Sequence, residues 1–496
     1  MAVNLLKRLT KREPDDRLFE DLCRDIGPEK VSRDGASQLL YSRDGSTFPG
    51  GVPGVVCSPE TTDQVISCVK AANRYNRSFV PRGAGTGLAG GAVPCDAPIV
   101  ISTTKMNAIL EIDLDKQFAW VQPGVVNLDL TKALKGSGFH FAPDPSSQQS
   151  CTIGGNVANN SGGPHCLAYG VTNAHVLAVE VVLPDGTLVL LGDTSEHTSG
   201  YDLRGAFVGG EGTLGVATRI AVRLTPDPPS IRTLLLDFMD VEDAAQTVSA
   251  IIASGIVPAA IEMMDQRIVN VVENFVNVGY PTDAAAVLIV EVDGLEDGVK
   301  LEVGAIEEIA VTHGARSVRV ASSEEEREQI WKGRKSAFGA VAQVKPGYYL
   351  HDTVIPRTKL VEVLRNVYQI ADKYELIVMN VFHAGDGNLH PLIMFDANDP
   401  EELKKCEEFG ADILKYCVKV GGALTGEHGV GIEKRELMCE AFNDKDIQQQ
   451  LTIKVALDPN SLLNPGKVYP ILRKCAEEGR VHVHGGKTKF PDIPRF

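Results

Sequence analysis

Two short segments in the C-terminal third of the sequence carry residues that could bind a metal ion and move a proton. His383 and His390 lie in one segment, and Glu427 and His428 are neighbours in the other. Imidazole nitrogens and a carboxylate oxygen together form a ligand set that suits Zn, Mn or Fe(II). A histidine beside such a site could also act as a general base, because its pKa lies near neutrality. These residues are therefore the first candidates for catalysis.

The segment around the first two histidines predicts a β-hairpin. Residues 376–383 read as a buried strand, residues 386–387 (Asp-Gly) as a two-residue turn, and residues 390–395 as the returning strand. Such a turn places His383 directly opposite His390, with the two Cβ atoms about 5 Å apart on one face of the hairpin. That separation suits two imidazoles that bind one ion. The hairpin alone also allows two half-buried histidines that bond to backbone carbonyl groups.

Three glycine-rich runs, at residues 81–91, 152–163 and 209–218, precede the histidine segments. Their glycines leave backbone N–H and C=O groups bare, and their short polar side chains can approach a flat polar ligand or its phosphates. Glycine and asparagine disfavour a helix, and too few side chains remain to pack a strand, so the central run is predicted to be an irregular loop. One such run would be typical of a surface loop. Three of them indicate one extended ligand with several polar contacts.

The first run has the glycine spacing of a dinucleotide-binding fingerprint, but its surroundings differ. Gly83, Gly85 and Gly87 lead into further glycines and then Pro94. A Rossmann fingerprint instead opens a helix within a βαβ unit. The run is therefore predicted to bind a diphosphate in another architecture.

Composition and charge restrict the class of protein. The 496 residues are 43% hydrophobic and 23% charged, as in a globular chain long enough for two or three domains. A formal net charge of -16 argues against nucleic acid or an anionic membrane surface as the main partner. No apolar run is long enough to span a membrane, and the short basic N-terminus does not resemble a secretory signal. The ten cysteines follow no CxxC pattern, so reduced thiols, a cytoplasmic location and no iron–sulfur site are expected.

The elements that must position the candidate residues fall into blocks. Residues 1–45 are predicted to form a charged helical arm, and the proline cluster at 225–229 marks the clearest boundary between domains. Beyond it, alternating strands and helices predict an antiparallel sheet covered by helices on one face, an α+β arrangement. A helix predicted over residues 324–343 carries Trp331, Arg334 and Phe338 at spacings of three and four.

Longer motifs resemble a known family. PRGAGTGL at 81–88, TIGGNVANNSGG at 152–163 and GGEGTLGVAT at 209–218 resemble, in order and spacing, the FAD-binding domain of the vanillyl-alcohol oxidase / p-cresol methylhydroxylase (PCMH) superfamily. Further along, FHAGDGNLH, GGALTGEHGVG and DPNSLLNPGK narrow the resemblance to the FAD-linked D-2-hydroxy acid dehydrogenases. The layout over residues 40–470 is most similar to the flavin subunits of bacterial glycolate oxidases, with D-lactate and D-2-hydroxyglutarate dehydrogenases as close relatives.

The resemblance implies a two-part FAD-binding domain of the PCMH type at 46–226, an antiparallel-sheet cap domain at 227–420 and a segment at 421–470 that returns to the flavin. A tail at 471–496 follows. FAD is expected to bind non-covalently, since the flavin loops offer no histidine or cysteine in an obvious tethering position. The residues expected to contact it are Pro81, Arg82, Gly83, Ala84, Gly85, Thr86, Gly87, Leu88, Pro143, Asp144, Thr152, Gly154, Gly155, Asn156, Asn159, Ser161, Gly162, Glu211, Gly212, Gly215, Val216 and Asn464.

The same resemblance implies roles for the other candidate residues. His383, His390 and Glu427 become ligands of a divalent ion, which could be Zn, Mn or Fe. His428 becomes the general base. Arg334 binds the substrate carboxylate, for which the guanidinium fork is well suited, although an arginine on a helix is otherwise often a solvated surface charge.

Two departures from the family pattern concern the size of the substrate. The D-2-hydroxyglutarate enzymes carry an asparagine where this chain has Leu392. Their substrate-binding lysine is also missing from residues 349–352. Both departures favour a small hydroxy acid over a long dicarboxylate.

The implied activity is oxidation of a small D-2-hydroxy acid, glycolate or D-lactate, to the 2-oxo acid, with hydride transfer to flavin N5. The electrons are expected to pass to separate iron–sulfur and second flavin-domain subunits or to another acceptor, so that any contact with the inner membrane is indirect. Two other functions remain open: a transferase similar to the alkyl-glycerone-phosphate synthases, and a non-catalytic flavin subunit of a larger complex. The sequence indicates neither the specific acid nor the oligomeric state.

Overall fold

Residues 14–48, 50–195, 200–396 and 398–470 are described by the computed structural model of the protein. The predicted tail at 471–496 and the first part of the predicted arm lie outside these ranges. Helices and strands alternate through most of the described chain, and the larger C-terminal sheet is antiparallel. The predicted α+β class is confirmed.

Two sheets and a two-stranded ribbon form the N-terminal half of the chain. Its strands are β1 (Val31–Ser32), β2 (Val55–Cys57), β3 (Phe79–Arg82), β4 (Ile99–Ser102), β5 (Ile109–Asp113), β6 (Phe118–Val121), β7 (Phe139–His140), β8 (Val176–Val182), β9 (Leu188–Gly192), β10 (Val216–Arg223) and β11 (Thr225–Pro226). Its helices are α1 (Pro14–Ile26), α2 (Gly35–Leu40), α3 (Thr62–Tyr75), α4 (Asn127–Ala133), α5 (Ile153–Asn159), α6 (Cys166–Tyr169), α7 (Thr172–His175) and α8 (Leu203–Phe207). One sheet has the order β1-β2-β4-β3, the other β5-β6-β10-β8-β9, and β7 pairs with β11.

Helix α3 packs between the four-stranded and the five-stranded sheet of the N-terminal half. The side chain of Thr61 caps its start by accepting a backbone N–H, and Asn76 ends it in the left-handed conformation (φ 50). Its buried residue Val65 belongs to one apolar cluster with Ile99 of β4 and Val182 of β8. The helix therefore fixes the position of β3, which leads into the first glycine-rich run.

The central glycine-rich run is partly helical, so the predicted irregular loop is wrong. Helix α5 covers residues Ile153–Asn159 of the run. The Thr152 side chain accepts a backbone N–H at its start, and Asn160 is left-handed at its end (φ 52). Ile153 and Val157 lie one turn apart and are completely buried. This packing outweighs the poor helix propensity of glycine and asparagine.

A nine-stranded sheet forms the C-terminal half, and all its paired strands are antiparallel. Its strands are β12 (Ser230–Phe238), β13 (Ala260–Asp265), β14 (Ala286–Gly294), β15 (Ala315–Val320), β16 (Gly347–Leu350), β17 (Thr353–Val354), β18 (Ile377–His383), β19 (Asn388–Leu389) and β20 (Pro391–Phe395). The helices are α9 (Val241–Ala253), α10 (Gln266–Val276), α11 (Glu296–Thr312), α12 (Glu324–Ala340), α13 (Leu360–Tyr374), α14 (Pro400–Lys419), α15 (Met438–Ala441) and α16 (Asp444–Leu457). The main strand order is β15-β12-β14-β13-β18-β19-β17, and β20 joins β16 to β18.

Helices cover both faces of the nine-stranded sheet, so the prediction of helices on one face is wrong. Successive residues of β14 point to opposite faces, and both sets are apolar. Leu288 and Val290 belong to the cluster with α9, α11, α13 and α14, while Val287 and Ile289 belong to the cluster with α10 and α12. A strand that is apolar on both faces must be covered on both.

The segment after α14 contacts both halves of the chain. Leu463 forms a bridge to Phe79 of β3, and Ala423 forms a bridge to Val354 of β17. Residues between these two points therefore lie where the halves meet. That stretch includes the loop of Glu427 and His428.

The sequence predicts neither a membrane-spanning helix nor a disulfide. Among the described residues, no helix combines the length and the apolar composition needed to cross a membrane. Eight of the described cysteines are free thiols.

Candidate active site

A cavity of about 350 Å³ lies where the three glycine-rich runs meet the histidine segments. Its wall contains most of the residues expected to contact FAD, namely Pro81, Arg82, Gly83, Ala84, Gly85, Thr86, Gly87, Leu88, Thr152, Gly154, Gly155, Asn156, Asn159, Ser161, Glu211, Gly212, Gly215 and Val216. The same wall includes His390, Glu427 and His428. The fold thus brings the predicted cofactor loops and part of the predicted catalytic cluster to one space.

Four residues predicted to contact FAD lie outside the wall of this cavity: Pro143, Asp144, Gly162 and Asn464. Asn464 donates through Nδ2 to the carbonyl groups of Gly91 and Glu211, at 3.0 Å each. The carboxylate of Asp144 lies 2.7 Å from Nδ1 of His165. In this structure both side chains connect protein segments to each other.

The first glycine-rich run offers free backbone donors. Within the described part of the chain, no protein group accepts a hydrogen bond from the N–H groups of residues 84–88. The start of α5 differs, because the N–H of Gly154 already donates to the Pro123 carbonyl at 2.8 Å. Backbone N–H groups that point into a cavity bind phosphate oxygens. The fit to a diphosphate therefore favours the 84–88 loop over the start of α5.

Close packing holds this loop against α5. A Cβ atom at Gly83 would lie 2.4 Å from Oγ1 of Thr152, so glycine is required for the approach. Arg82 is 7% exposed, and its guanidinium carbon lies 5.5 Å from the centre of the Tyr41 ring, a cation–π contact. A buried cation at the base of the loop suits an anionic ligand.

The hairpin carries both histidines, but its register differs from the prediction. His383 pairs with Asn388 across a four-residue turn at 384–387, so it is not directly opposite His390. The pair Asn380–Pro391 shows the same shift of two residues. Because side chains alternate with a period of two, this shift keeps both histidines on one face. Their ring centroids are 5.1 Å apart.

The carboxylate of Glu427 lies among the three histidines. Its Oε1 atom is 3.1 Å from Nε2 of His390 and 3.6 Å from Nε2 of His383. Nε2 of His428 lies 3.8 Å from the same oxygen, and its ring stacks on that of His390 with centroids 5.2 Å apart. The ligand atoms of the predicted metal-binding set all lie within 4.8 Å of one another. Two nitrogen donors and one oxygen donor at this spacing fit a divalent ion such as Zn, Mn or Fe(II).

The loop of Glu427 and His428 is folded around the buried carboxylate of Asp352. That carboxylate accepts the N–H groups of Gly426 at 3.0 Å, Glu427 at 3.2 Å and His428 at 3.1 Å. Nζ of the buried Lys434 lies 3.1 Å from the same carboxylate and balances its charge. Successive N–H groups directed at one anion form a concave anion-binding turn. Asp352 therefore fixes the backbone that presents the predicted ligand and base.

A second buried carboxylate contacts the same loop from the N-terminal half. Glu211, in the third glycine-rich run, accepts the N–H groups of Val430 and Gly431 at 2.7 Å each. Asn159, at the end of α5, donates through Nδ2 to the carbonyl of His428 at 3.2 Å. Two residues predicted to contact FAD thus also connect the glycine-rich runs to the loop of the predicted base.

Burial and charge set the protonation of the cluster. Burial lowers the pKa of His428 to about 4, so this imidazole is neutral at pH 7 and can accept a proton. Burial alone would raise the pKa of Glu427, but His383 and His390 hold it well below its usual range. A neutral imidazole and an ionised carboxylate are the forms that a general base and a metal ligand require.

Arg334 and His383 lie behind the cavity wall and share one partner. The carboxylate of Glu262, on β13, accepts from Nε of Arg334 at 2.7 Å and lies 2.6 Å from Nδ1 of His383. All three residues are buried. Among the described residues, no group bonds to Nη2 of Arg334. The predicted carboxylate-binding arginine is therefore held in a buried ion pair, and one of its buried nitrogens has no partner there.

No motif in the sequence singles out Glu262 or Asp352. Glu262 is 121 positions away from His383 in the chain, and Asp352 is 75 positions away from Glu427. The available signal is a carboxylate inside or beside an apolar strand, since charged residues are rarely buried unless they are paired.

Two family models and several curated proteins match the chain. Residues 53–192 match an FAD binding domain, and residues 227–468 match the C-terminal domain of FAD linked oxidases. The chain is 45% identical to glycolate oxidase subunit GlcD of Escherichia coli (strain K12) over 92% of each chain. The chain belongs to the FAD-linked oxidases.

Further relatives agree with this assignment. This FAD-linked oxidase is 39% identical to glycolate oxidase subunit GlcD of Bacillus subtilis (strain 168), over 91% of its own length and 96% of that protein. It is 34% identical to D-lactate dehydrogenase of Archaeoglobus fulgidus, over 84% of its own length and 91% of that protein. The predicted enzyme class and the predicted FAD cofactor are confirmed.

Solved structures show the fold. A crystal structure of p-cresol methylhydroxylase with substrate bound superposes with a TM-score of 0.78 at 17% identity, covering 93% of this oxidase and 98% of that chain. An alkyldihydroxyacetonephosphate synthase superposes with a TM-score of 0.71 at 17% identity, covering 92% and 85%. These structures confirm the predicted fold of the PCMH type.

Proposed function

We propose that this FAD-linked oxidase converts a small D-2-hydroxy acid, glycolate or D-lactate, to the corresponding 2-oxo acid. The observation that carries the proposal is the position of the His428 imidazole, beside Glu427 and His390 on the wall of the cavity lined by the glycine-rich runs. The names of its relatives, glycolate oxidase subunits and D-lactate dehydrogenases, support the same class of substrate.

Oxidation of a 2-hydroxy acid removes a proton from the hydroxyl group and a hydride from the carbon that bears it. His428 is proposed to accept the proton, because its imidazole is neutral while Asp352 and Asn159 hold its backbone in place. Non-covalently bound FAD supplies the hydride acceptor at N5, and a divalent ion held by the hairpin histidines and Glu427 would supply a positive charge that lowers the hydroxyl pKa.

The lining of the cavity favours a small substrate with one carboxylate. Phe338, Tyr348 and Leu350 contribute bulky side chains to its wall. Among the described residues of that wall, Arg82 is the only lysine or arginine. Arg82 is proposed to serve the FAD diphosphate, and Nη2 of Arg334, which lies behind the wall, is proposed to turn towards the substrate carboxylate. A second carboxylate would then lose its hydration without gaining a cationic partner.

The electrons are proposed to leave the flavin through partner subunits. Two of the relatives are named as subunits of a glycolate oxidase. We propose iron–sulfur and second flavin-domain subunits as acceptors, a cytoplasmic location and only an indirect contact with the inner membrane. In the corresponding division of the chain, residues 46–226 bind FAD, residues 227–420 cover it, and residues 421–470 return to it.

Anaerobic addition of glycolate, D-lactate and L-lactate to the purified protein tests the proposal. Flavin absorbance should bleach with glycolate or D-lactate but not with L-lactate. His428→Ala should retain the flavin and reduce it about 10² to 10⁴ times more slowly, the usual contribution of a general base. His313→Ala, just beyond α11, is the control and should behave as wild type. A flavin that no 2-hydroxy acid reduces would favour the transferase or the non-catalytic subunit instead.

A further inference from the structure

Glu262 is a completely buried carboxylate that no motif in the sequence marks as functional. It projects from β13 and accepts from Nε of Arg334 at 2.7 Å. Its other oxygen lies 2.6 Å from Nδ1 of His383. A buried charge is tolerated only when its partners compensate for lost hydration. Here the two partners are the predicted carboxylate-binding arginine and a predicted metal ligand.

The hydrogen bond to His383 orients its ring. Glu262 and His383 are directly paired between β13 and β18, so the carboxylate approaches the ring from the neighbouring strand. Because Nδ1 faces Glu262, Nε2 is directed at the cluster, 3.6 Å from Oε1 of Glu427. A carboxylate on one ring nitrogen fixes the tautomer that leaves the other nitrogen as a ligand.

The ion pair with Arg334 orients the guanidinium group. Its Nε is bonded to Glu262, whereas Nη2 is buried and has no partner among the described residues. A planar guanidinium held through one nitrogen can present the others in a fixed direction. Glu262 thus determines the position of two groups at once.

We propose that Glu262 is the positioning residue that couples the metal ligand His383 to the substrate-binding Arg334. The inference rests on the proposed metal-assisted oxidation and extends it to a residue outside the cavity wall. Loss of the carboxylate should weaken metal binding through His383 and substrate binding through Arg334.

Glu291 provides a matched control. It lies on β14, next to β13, and points to the same face of the sheet as Glu262. It is also buried and also pairs with an arginine of α12 and a histidine, namely Arg327 at 3.0 Å and His165 at 3.2 Å. Neither partner belongs to the metal-binding cluster.

The affinity of the FAD-loaded protein for Zn²⁺ and for Mn²⁺, measured by competition with a chelator, tests the proposal. Glu262→Gln keeps the size of the side chain and removes its charge, so metal affinity should fall by about 10- to 100-fold, as expected for an outer-shell carboxylate. The KM for glycolate should also rise. Glu291→Gln should change neither quantity.

Glu262→Asp is the second variant, in case the glutamine variant does not fold. It keeps the buried charge but withdraws the carboxylate from His383 by one methylene, so metal affinity should again fall. Unchanged metal affinity in the folded Glu262 variants would overturn the proposal. An equal fall in Glu291→Gln would also overturn it, because a general loss of packing would then explain both.

Failure of the proposed function gives a different result. A wild-type protein that binds neither ion overturns both the metal-assisted reaction and the role of Glu262. A wild-type protein that binds an ion, but whose flavin no 2-hydroxy acid reduces, contradicts the oxidation alone. In that case the affinity of the Glu262→Gln variant for the metal ion still decides whether Glu262 positions His383.

Discussion

Two Arg–Glu–His arrangements lie side by side on the nine-stranded sheet, and they differ in how the histidine is used. In one, Glu262 joins Arg334 to His383; in the other, Glu291 joins Arg327 to His165. The two arginines are two turns apart on α12, so both reach the same face of the sheet. The residue types are the same, but Arg327 and His165 are 24% and 22% exposed, whereas Arg334 and His383 are almost completely buried.

The free nitrogen of the histidine separates the two arrangements. Both nitrogens of His165 face carboxylates, Asp144 at 2.7 Å and Glu291 at 3.2 Å, so the ring connects the FAD-binding domain to the C-terminal domain. Only Nδ1 of His383 is taken by Glu262, and Nε2 remains directed at Glu427 in the proposed metal site. An Arg–Glu pair can thus hold a histidine as a contact between domains or as a candidate metal ligand. Which of the two applies depends on the group that lies at the second ring nitrogen of the histidine.

The largest difference is expected when each histidine is removed. His383→Ala should lower the rate constant of flavin reduction by about 100-fold or more, because the charge of a bound ion contributes several kcal/mol to such a step. His165→Ala should lower it by less than about tenfold, since it removes only a contact between domains. Stopped-flow reduction with glycolate measures both rates. Equal losses would show that the two histidines do not differ in role.

Replacing the arginine of each arrangement should lower the free energy of unfolding by different amounts. Arg334→Met leaves Glu262 with one partner in a dry environment and should cost about 3–5 kcal/mol of unfolding free energy. Arg327→Met should cost about 1–3 kcal/mol, because Glu291 keeps its bond from Trp331 at 2.6 Å. Urea unfolding followed by circular dichroism gives both values. The reverse order would mean that Glu291 depends more strongly on its arginine than Glu262 does.

The interdomain histidine should make stability depend on pH. Burial tends to lower the pKa of His165, but Asp144 and Glu291 raise it from 6.5 to about 10. A raised pKa stabilises the fold fully below about pH 6.5, and that contribution is lost as the pH rises towards 10. The stability of wild type relative to His165→Gln should therefore fall by about 4 kcal/mol between roughly pH 6 and 9.5. A difference that is constant over this range would contradict the charged contact.

The smallest effect is expected from Trp331→Phe. Nε1 of Trp331 donates to Glu291 at 2.6 Å, so the substitution removes one hydrogen bond to a buried carboxylate and should cost about 1 kcal/mol. Affinity for Mn²⁺ should stay at the wild-type value, because Trp331 does not contact Glu262 or its partners through this bond. Thermal unfolding and the chelator competition measure the two effects. A fall in metal affinity would show that the two arrangements are coupled along α12.

Local motifs predicted much of the site, and long-range pairing decided the rest. The glycine-rich runs and the segment with Glu427 and His428 are short, and the structure brings them to one cavity. The predicted register of the hairpin is wrong by two residues. His383 and His390 still converge, because a shift of two residues leaves both side chains on the same face.

The elements that sequence reasoning missed depend on partners far away in the chain. Helix α5 forms despite its glycines because Ile153 and Val157 find a buried cluster, which local propensity does not reveal. Glu262 and Asp352 acquire their partners only when distant strands and loops meet. Tertiary contacts, rather than residue type, make these positions important.

Hydrogen bonds to both halves of the molecule hold the loop at residues 425–431. Its backbone N–H groups donate to Asp352 on one side and to Glu211 on the other. A ligand that orders either carboxylate also reduces the conformational entropy of the shared loop. Once FAD bound near Glu211 has ordered the loop, an ion that binds at Glu427 would lose less conformational entropy, and the same holds in the opposite order. By thermodynamic reciprocity, each should tighten the binding of the other by the same factor. A substitution that loosens the loop should therefore lower the affinity for FAD and the affinity for the proposed ion together.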